Sequence, residues 1–190
     1  MEEVVLFLRL LLALLFFSTA WSKLKKMGEH IGIVKDYQIL PDRLAAPFAK
    51  GEVCVELALS VLLVTGLFQR AGALAGAGLL LLYTIAIVIN LARGRTEISC
   101  GCGGAAGNHQ LSKLLVLRNA CLIAMAAAVY AVNPALGSAD AWLEGGGIAM
   151  MLNLKALFIL AGSVMAIFLW IGWMETQEIG KEIHTFWKRG

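Results

Sequence analysis

The stretch AGALAGAGLLLLYTIAIVINLA, residues 71–92, contains no charged side chain. A helix that crosses a bilayer needs about 20 mostly apolar residues at about 1.5 Å of rise each, and this stretch supplies them. Residues 156–174 form a second clean run. A third, 119–139, is interrupted by Pro134, which ends its helix near Val132. Two further runs hold an internal charge: 4–21 carries Arg9, and 52–68 carries Glu56.

The rest of the chain agrees with a membrane reading. Of 190 residues, 59% are hydrophobic and only 15% charged, with a mean hydropathy of +0.78. A soluble domain averages roughly 45–50% apolar and about 25% charged. One soluble core of this size could not bury so many apolar side chains, and its surface would lack the charge to stay dissolved. Three prolines and long apolar runs exclude disorder and collagen-like repeats. The net charge of +3 gives no footprint for nucleic acid. The fold class expected is all-α: a polytopic transmembrane bundle with membrane lipid as its solvent. It is a single domain over 1–190 with helices at about 4–22, 52–69, 72–91, 113–132 and 152–174, the first four an antiparallel core and the fifth C-terminal.

Smaller features fit this frame. The first helix is read as retained, because its leading Met-Glu-Glu lacks the basic residues of a signal peptide. Trp21, Tyr130, Trp142, Trp170 and Trp173 fall near expected helix ends, as an aromatic belt does. Gly72 and Gly76 form a GxxxG that would let a neighbouring helix approach, though a generic Gly/Ala-rich helix explains them equally well. A tight turn around Gln69-Arg70-Ala71 makes the second and third helices antiparallel neighbours. Residues 23–51, mixed basic and apolar, read as a segment lying in the interface.

Five helices place residues 23–51, the Gly-rich loop 93–112 and the C-terminal tail on one side. Glu56, Asn90, Arg118 and Asn119 then lie within two turns of that side, on three different helices. An acid or a base inside a membrane helix is costly and usually faces the bundle interior with a partner. Glu56 is therefore expected to pair with Arg118, directly or through Asn90, Asn119 or water. Such a group is either a proton- or substrate-handling site or a structural ion pair near the headgroups.

Ser99-Cys100-Gly101-Cys102-Gly103-Gly104 is the most specific chemistry in the chain. Two thiols flank a glycine, and a turn brings an i, i+2 pair within disulfide reach. Closing so short a loop constrains the unfolded chain little, and a small strained ring suits exchange better than bracing. Cys100 and Cys102 are thus candidate exchanging thiols. Two other readings stand beside this one. Cys100, Cys102 and His109 offer three local metal ligands where a closed zinc site wants four, or the loop is simply built of small residues. Cys54 and Cys121 read as buried, inert small apolar residues, with a second thiol pair as the alternative. His30 and His184 have no evident partner and read as exposed or interfacial.

The order of these elements resembles a known family. Leu24, Tyr37-Gln38-Ile39-Leu40-Pro41, Glu56, Asn90-Leu91-Ala92-Arg93-Gly94-Arg95, Ile98-Ser99-Cys100-Gly101-Cys102 and Leu117-Arg118-Asn119 together look like the MauE-like methylamine-utilisation membrane proteins, within the DoxX-like redox-associated membrane proteins. The likeness runs from the first helix to about residue 130. Ser99 stands where the family has an acid, and Gly103 where it has an aromatic residue. The resemblance implies a multi-pass protein of the bacterial inner membrane that helps mature a periplasmic, disulfide-rich partner such as a methylamine dehydrogenase subunit. A thioredoxin-like partner is implied with it. No CPxC motif occurs here, so that domain would be another chain. A quinone acceptor would suit thiol oxidation, but no residue of the sequence marks a quinone site.

Two questions stay open at this level. Lys23, Lys25, Lys26, Lys35, Arg43, Lys50, Arg93, Arg95 and Lys113 lie on the cysteine side with the basic tail, while the other side has little beyond Arg70. The positive-inside rule puts that side in the cytoplasm, whereas a pair serving secreted proteins faces the periplasm, where disulfides persist. The alternatives to a thiol-redox role are a small-molecule or metal transporter using Glu56, Asn90 and Arg118, and a non-catalytic assembly factor.

Overall fold

The computed structural model describes residues 1–107, 110–143, 145 and 153–187, with side chains described as far as residue 172. His109 and the side chains of Trp173 and His184 lie outside the described residues. The elements are α1 (Glu2–Lys25), α2 (Met27–Asp36), α3 (Asp42–Thr65), α4 (Gln69–Ala92), a 3-10 turn (Gly104–Ala106), α5 (Lys113–Val132), α6 (Ala139–Leu143) and α7 (Leu154–Trp187). Among the described residues four helices are long and apolar enough to cross a membrane: α1, α4, α5 and the Leu154–Gly172 part of α7. The chain is an all-α helical bundle of the multi-pass type.

The central helix is α1, which packs against α3, α5 and α7, while α4 pairs with α5. Its buried positions include Leu6, Arg9, Leu10, Ala13, Phe16, Ala20 and Lys23, the i, i+3, i+4 spacing of one helical face. Leu12 and Phe16 meet Leu59 and Leu63 of α3, Ala73 and Leu80 of α4, and Ala126 and Val129 of α5 in the main core. Gly72 and Gly76 do let α4 close in. A Cβ on Gly76 would lie 3.3 Å from the Phe16 ring, and one on Gly72 would lie 3.6 Å from Leu62. Val61, Leu74, Leu81, Leu114, Phe158 and Phe168 are exposed around the outside, where acyl chains would solvate them.

The second helix is the main departure from the expected boundaries. Residues 23–51, read as a segment lying in the interface, are largely helical: they complete α1, form α2 and, after residues 37–41, supply the first ten residues of α3. Pro41 precedes α3 as its N-cap, and Pro47 sits in its second turn. By composition α3 is too charged to count among the four apolar helices. It nevertheless runs antiparallel beside α1 from Glu52, which bonds Lys23, to Gly66, which abuts Arg9. Its acids are carried inward by pairing instead of being excluded from the bundle.

The α3–α4 turn lies at Gly66–Phe68, three residues before the expected position, and Gln69, Arg70 and Ala71 already belong to α4. Gly66 ends α3 at φ +67°, and a Cβ there would fall 2.5 Å from Arg9 Nη1, so both conformation and space require glycine. The start of α4 is capped from a distance. Backbone amides of Phe68 and Gln69 donate to the Asp140 carboxylate at 2.8 and 3.0 Å. Arg9, 1% exposed, donates to Gln69 Oε1 and the Gly137 carbonyl, both at 2.6 Å. Gln69 in turn donates to the Pro134 carbonyl and Ser138 Oγ. This polar clip ties α1, the α3–α4 turn and the α5–α6 connection together at the end opposite the cysteines.

Candidate functional site

Long side chains on a helix lean toward its N-terminus, and this lean decides who meets whom at the cysteine end. Helix α1 ends there, so Lys23 leans inward along the bundle. Helix α3 starts there, so Glu52 and Glu56, one turn apart on its buried face, lean outward to meet it. The Lys23 ammonium donates to Glu52 Oε1 and, at 2.8 Å, to Glu56 Oε1. Tyr83 of α4 closes the group: its hydroxyl lies 2.8 Å from both carboxylate oxygens, and Lys23 Nζ sits 4.8 Å from its ring centroid. The cluster therefore joins three helices by one cation, two acids and a phenol.

Glu56 and Arg118 do not pair directly: Glu56 bonds Lys23 and Tyr83 instead. Helix α5 also starts at the cysteine end, so Arg118 leans away from the bundle centre and up to the loop. It donates to the Ala106 carbonyl at 2.6 Å and to Asn119 Oδ1 at 3.4 Å. Its Nη2 lies 3.3 Å from Cys102 Sγ and 3.9 Å from Cys100 Sγ. Glu56, Arg118, Asn119 and Cys102 do converge, but around a shared cavity of about 20 Å³, room for about one water molecule. Glu56 Oε2, Arg118 Nε and Asn119 Nδ2 have no hydrogen-bond partner there. Asn90 is fully buried yet stays outside this group, donating to the Ala86 carbonyl of its own helix at 3.0 Å.

Cys100 and Cys102 form a disulfide with Cα atoms 5.4 Å apart. Cys100 is buried and Cys102 half-buried. The loop is held on several sides. Tyr37 donates to the Cys100 carbonyl at 3.2 Å, the Ala105 amide donates to Ser18 Oγ at 2.8 Å, and Trp170 Nε1 of α7 donates to the Ala105 carbonyl at 3.0 Å. Gly104, at φ +53°, lies so close to α1 that a Cβ would fall 2.3 Å from the Ser18 carbonyl oxygen. Burial, reinforced by the Glu52 charge, pushes the Tyr37 phenol up to about 12, so it stays a hydrogen-bond donor at any ordinary pH. When the pair is reduced, the Arg118 guanidinium favours thiolate over thiol at the nearer sulfur, Cys102.

Cys54 and Cys121 form no disulfide, and neither is buried as expected. Both are free and exposed, because each falls off the buried face of its helix, Glu52–Val53–Glu56 in α3 and Leu115–Asn119 in α5. His30 is not exposed or interfacial as expected: it is 6% exposed, with Nε2 3.4 Å from Glu52 Oε1. Among the described residues no group of three or more His, Cys, Asp or Glu is placed to hold a metal ion. Lys23, Glu52, Tyr83 and His30 escaped the sequence reading as site residues. One signal was present: Glu52 and Glu56 stand four apart on one helix, and like charges at that spacing call for a nearby cation.

Comparison with known proteins follows the same elements. The sequence model of the family described as methylamine utilisation protein MauE matches residues 1–132. The MauE protein of Paracoccus denitrificans is 40% identical over 154 residues, covering 78% of this chain and 83% of its own length. That of Methylorubrum extorquens shows the same identity and coverage. That of Methylophilus methylotrophus is 34% identical over 163 residues, covering 85% of this chain and 80% of its own. No solved structure matches the chain.

Proposed function

The chain belongs to the methylamine utilisation protein MauE family, and from that premise we propose that it is a thiol–disulfide redox protein of the bacterial inner membrane. Its exchanging pair is Cys100 and Cys102, and its task is to support disulfide formation in a periplasmic partner of methylamine utilisation, such as a methylamine dehydrogenase subunit. A thioredoxin-like protein on another chain carries the exchange between them. The observation that carries this reading is the placement of the Cys100–Cys102 disulfide under the Arg118 guanidinium at the end of the bundle. A cation beside a sulfur stabilises the thiolate, which is both the attacking and the leaving form in exchange. Arg118 is the positioning and activating group, and Glu56 and Asn119 line the space behind it. Asn90 donates back to the Ala86 carbonyl within α4 and supports the site only by holding α4.

The reading puts the loop on the periplasmic side, against the count of basic residues. Lys23 drops out of that count, since it is buried between two glutamates and is not a free surface charge.

Trapping tests the proposal. With one cysteine removed, the other cannot resolve a mixed disulfide, so a partner stays attached. Cys100→Ser, which leaves the more accessible Cys102, is expected to accumulate more adduct than Cys102→Ser in cells grown on methylamine. Non-reducing gels of the purified variants read the adduct. Absence of any trapped species from both variants would refute the redox role. In intact cells, a membrane-impermeant thiol reagent applied after reduction is expected to label the pair; labelling only after permeabilisation would refute the periplasmic placement.

A further inference from the structure

A cavity of about 260 Å³ lies between α2, the N-terminal half of α3 and α4, and the Cys100-Gly101-Cys102 backbone forms part of its wall. Its two ends differ in chemistry. At the mouth, Ile39, Phe48, Leu82 and Ile85 are all more than 40% exposed on the outside of the bundle. At the inner end stand Lys23, His30, Glu52 and Tyr83. His30 is buried; its Nε2 lies 3.4 Å from Glu52 Oε1, while its Nδ1 has no hydrogen-bond partner. The His30 Nδ1 lies 3.7 Å from where a Cβ on Gly101 would be, so a buried ring nitrogen without a partner is held beside the disulfide loop. Such a group is costly to bury without a partner and points to a ligand that supplies an acceptor.

We propose that this cavity takes the headgroup of a quinone, the oxidant that regenerates the Cys100–Cys102 disulfide. The inference rests on the redox reading above and extends it to the electron acceptor. Its size suits a single ring: pockets for drug-sized ligands run about 300–1,000 Å³, so the isoprenoid tail stays outside among the exposed apolar residues of the mouth. One quinone carbonyl takes a hydrogen bond from His30, and the ring lies against the cysteine loop. The reaction balances. Two S–H bonds break and one S–S bond forms, releasing two electrons and two protons. The quinone takes both electrons, and its two carbonyl oxygens become hydroxyls. The Lys23–Glu52–Glu56–Tyr83 cluster, with one cation against two carboxyls, lies next to the ring and can pass protons to it.

The experiment uses the purified full-length chain in proteoliposomes, reduced with dithiothreitol and freed of it. Ubiquinone-1 is added, quinol is followed by absorbance, and the thiols are counted by alkylation. The expected result is one quinol per disulfide regained, and none from Cys100→Ser. Ala86→Phe, which fills the cavity wall, is expected to slow quinone reduction at least tenfold. Oxidation of the same variant by oxidised glutathione, which reaches the loop from water, should stay within twofold of wild type. Failure of wild type to form quinol while glutathione restores its disulfide would overturn the quinone inference and leave the redox reading standing. Failure with both oxidants would overturn both. Equal quinone rates in wild type and Ala86→Phe would overturn the assignment to this cavity. Should Ala86→Phe not fold, Ile85→Trp at the mouth serves the same comparison.

Discussion

Lys23→Met tests the ion cluster at the heart of the cysteine end. The substitution keeps the length and apolar stem of the side chain and removes only the ammonium. Glu52 and Glu56, 8% and 1% exposed, then face each other and Tyr83 with no cation. At 2.8 Å and an effective dielectric of about 20, one such pair is worth about 6 kcal/mol of attraction. In the intact protein the desolvation of all three groups offsets much of it, so the net worth of the cluster is small. Removing one partner is different, because it leaves the desolvation unpaid on the other side. That costs about 3–5 kcal/mol for a buried pair. For a chain of this size each kcal/mol moves Tm by about 2–4 °C, so Lys23→Met should lower Tm by about 6–20 °C. The assay is thermal unfolding of the detergent-solubilised protein followed by far-UV circular dichroism. Adding Glu52→Gln and Glu56→Gln to Lys23→Met removes the stranded charges and should recover at least half of the loss. A fall of less than about 1 kcal/mol in the single variant, or a triple variant no more stable than the single, would refute the reasoning that pairing is what admits these acids to the bundle.

Three more outcomes follow from the geometry. Arg118→Leu removes the cation 3.3 Å from Cys102 Sγ and should slow iodoacetamide labelling of the reduced pair at neutral pH about tenfold or more, with Arg118→Lys restoring part of the rate; equal labelling in Arg118→Leu would show the contact to be idle. Asp140→Ala takes away the remote cap of α4 and should cost about 0.5–2 kcal/mol, read as faster amide hydrogen exchange at residues 68–72 with little change near the cysteine loop. Gly104→Ala drives a methyl into the Ser18 carbonyl at a positive φ, so the loop must lift off α1; the expected sign is faster reduction of the Cys100–Cys102 disulfide by dithiothreitol, and an unchanged rate would contradict the packing.

The membrane helices were legible because lipid imposes a simple rule: about 20 residues without unpaired charge. Lys113–Val132 lies where the sequence placed it, bounded by Ser112 before it and Asn133 in the left-handed region after it. The closeness of Cys100 and Cys102 was legible because two residues of separation keep their Cα atoms within reach of each other. Where local signals were absent, boundaries moved. Nothing near Gln69 announces a helix start, since its cap is Asp140, 71 residues away. The ten residues before Glu52 fall in the mixed basic and apolar stretch and give no sign of a long helix, yet they form the first turns of α3.

The sequence by itself determined the solvent of this protein, its all-helical class, the position of its Cys-Gly-Cys element and the scarcity of intramembrane charge. Those properties depend on composition and short spacing, which tertiary contacts do not alter. Only the tertiary structure decided the partners. Glu56 and Arg118 both stood within reach of the cysteine end, but helix direction sends Arg118 up to the sulfurs and brings Lys23 down to Glu52 and Glu56. A side chain's lean is fixed by the polarity of its own helix, while the group it meets depends on which helices pack together, and α1 with α3 is a pairing that no run of residues encodes locally. The same packing buries His30 and opens the cavity beside the disulfide, neither of which any single segment of the chain contains.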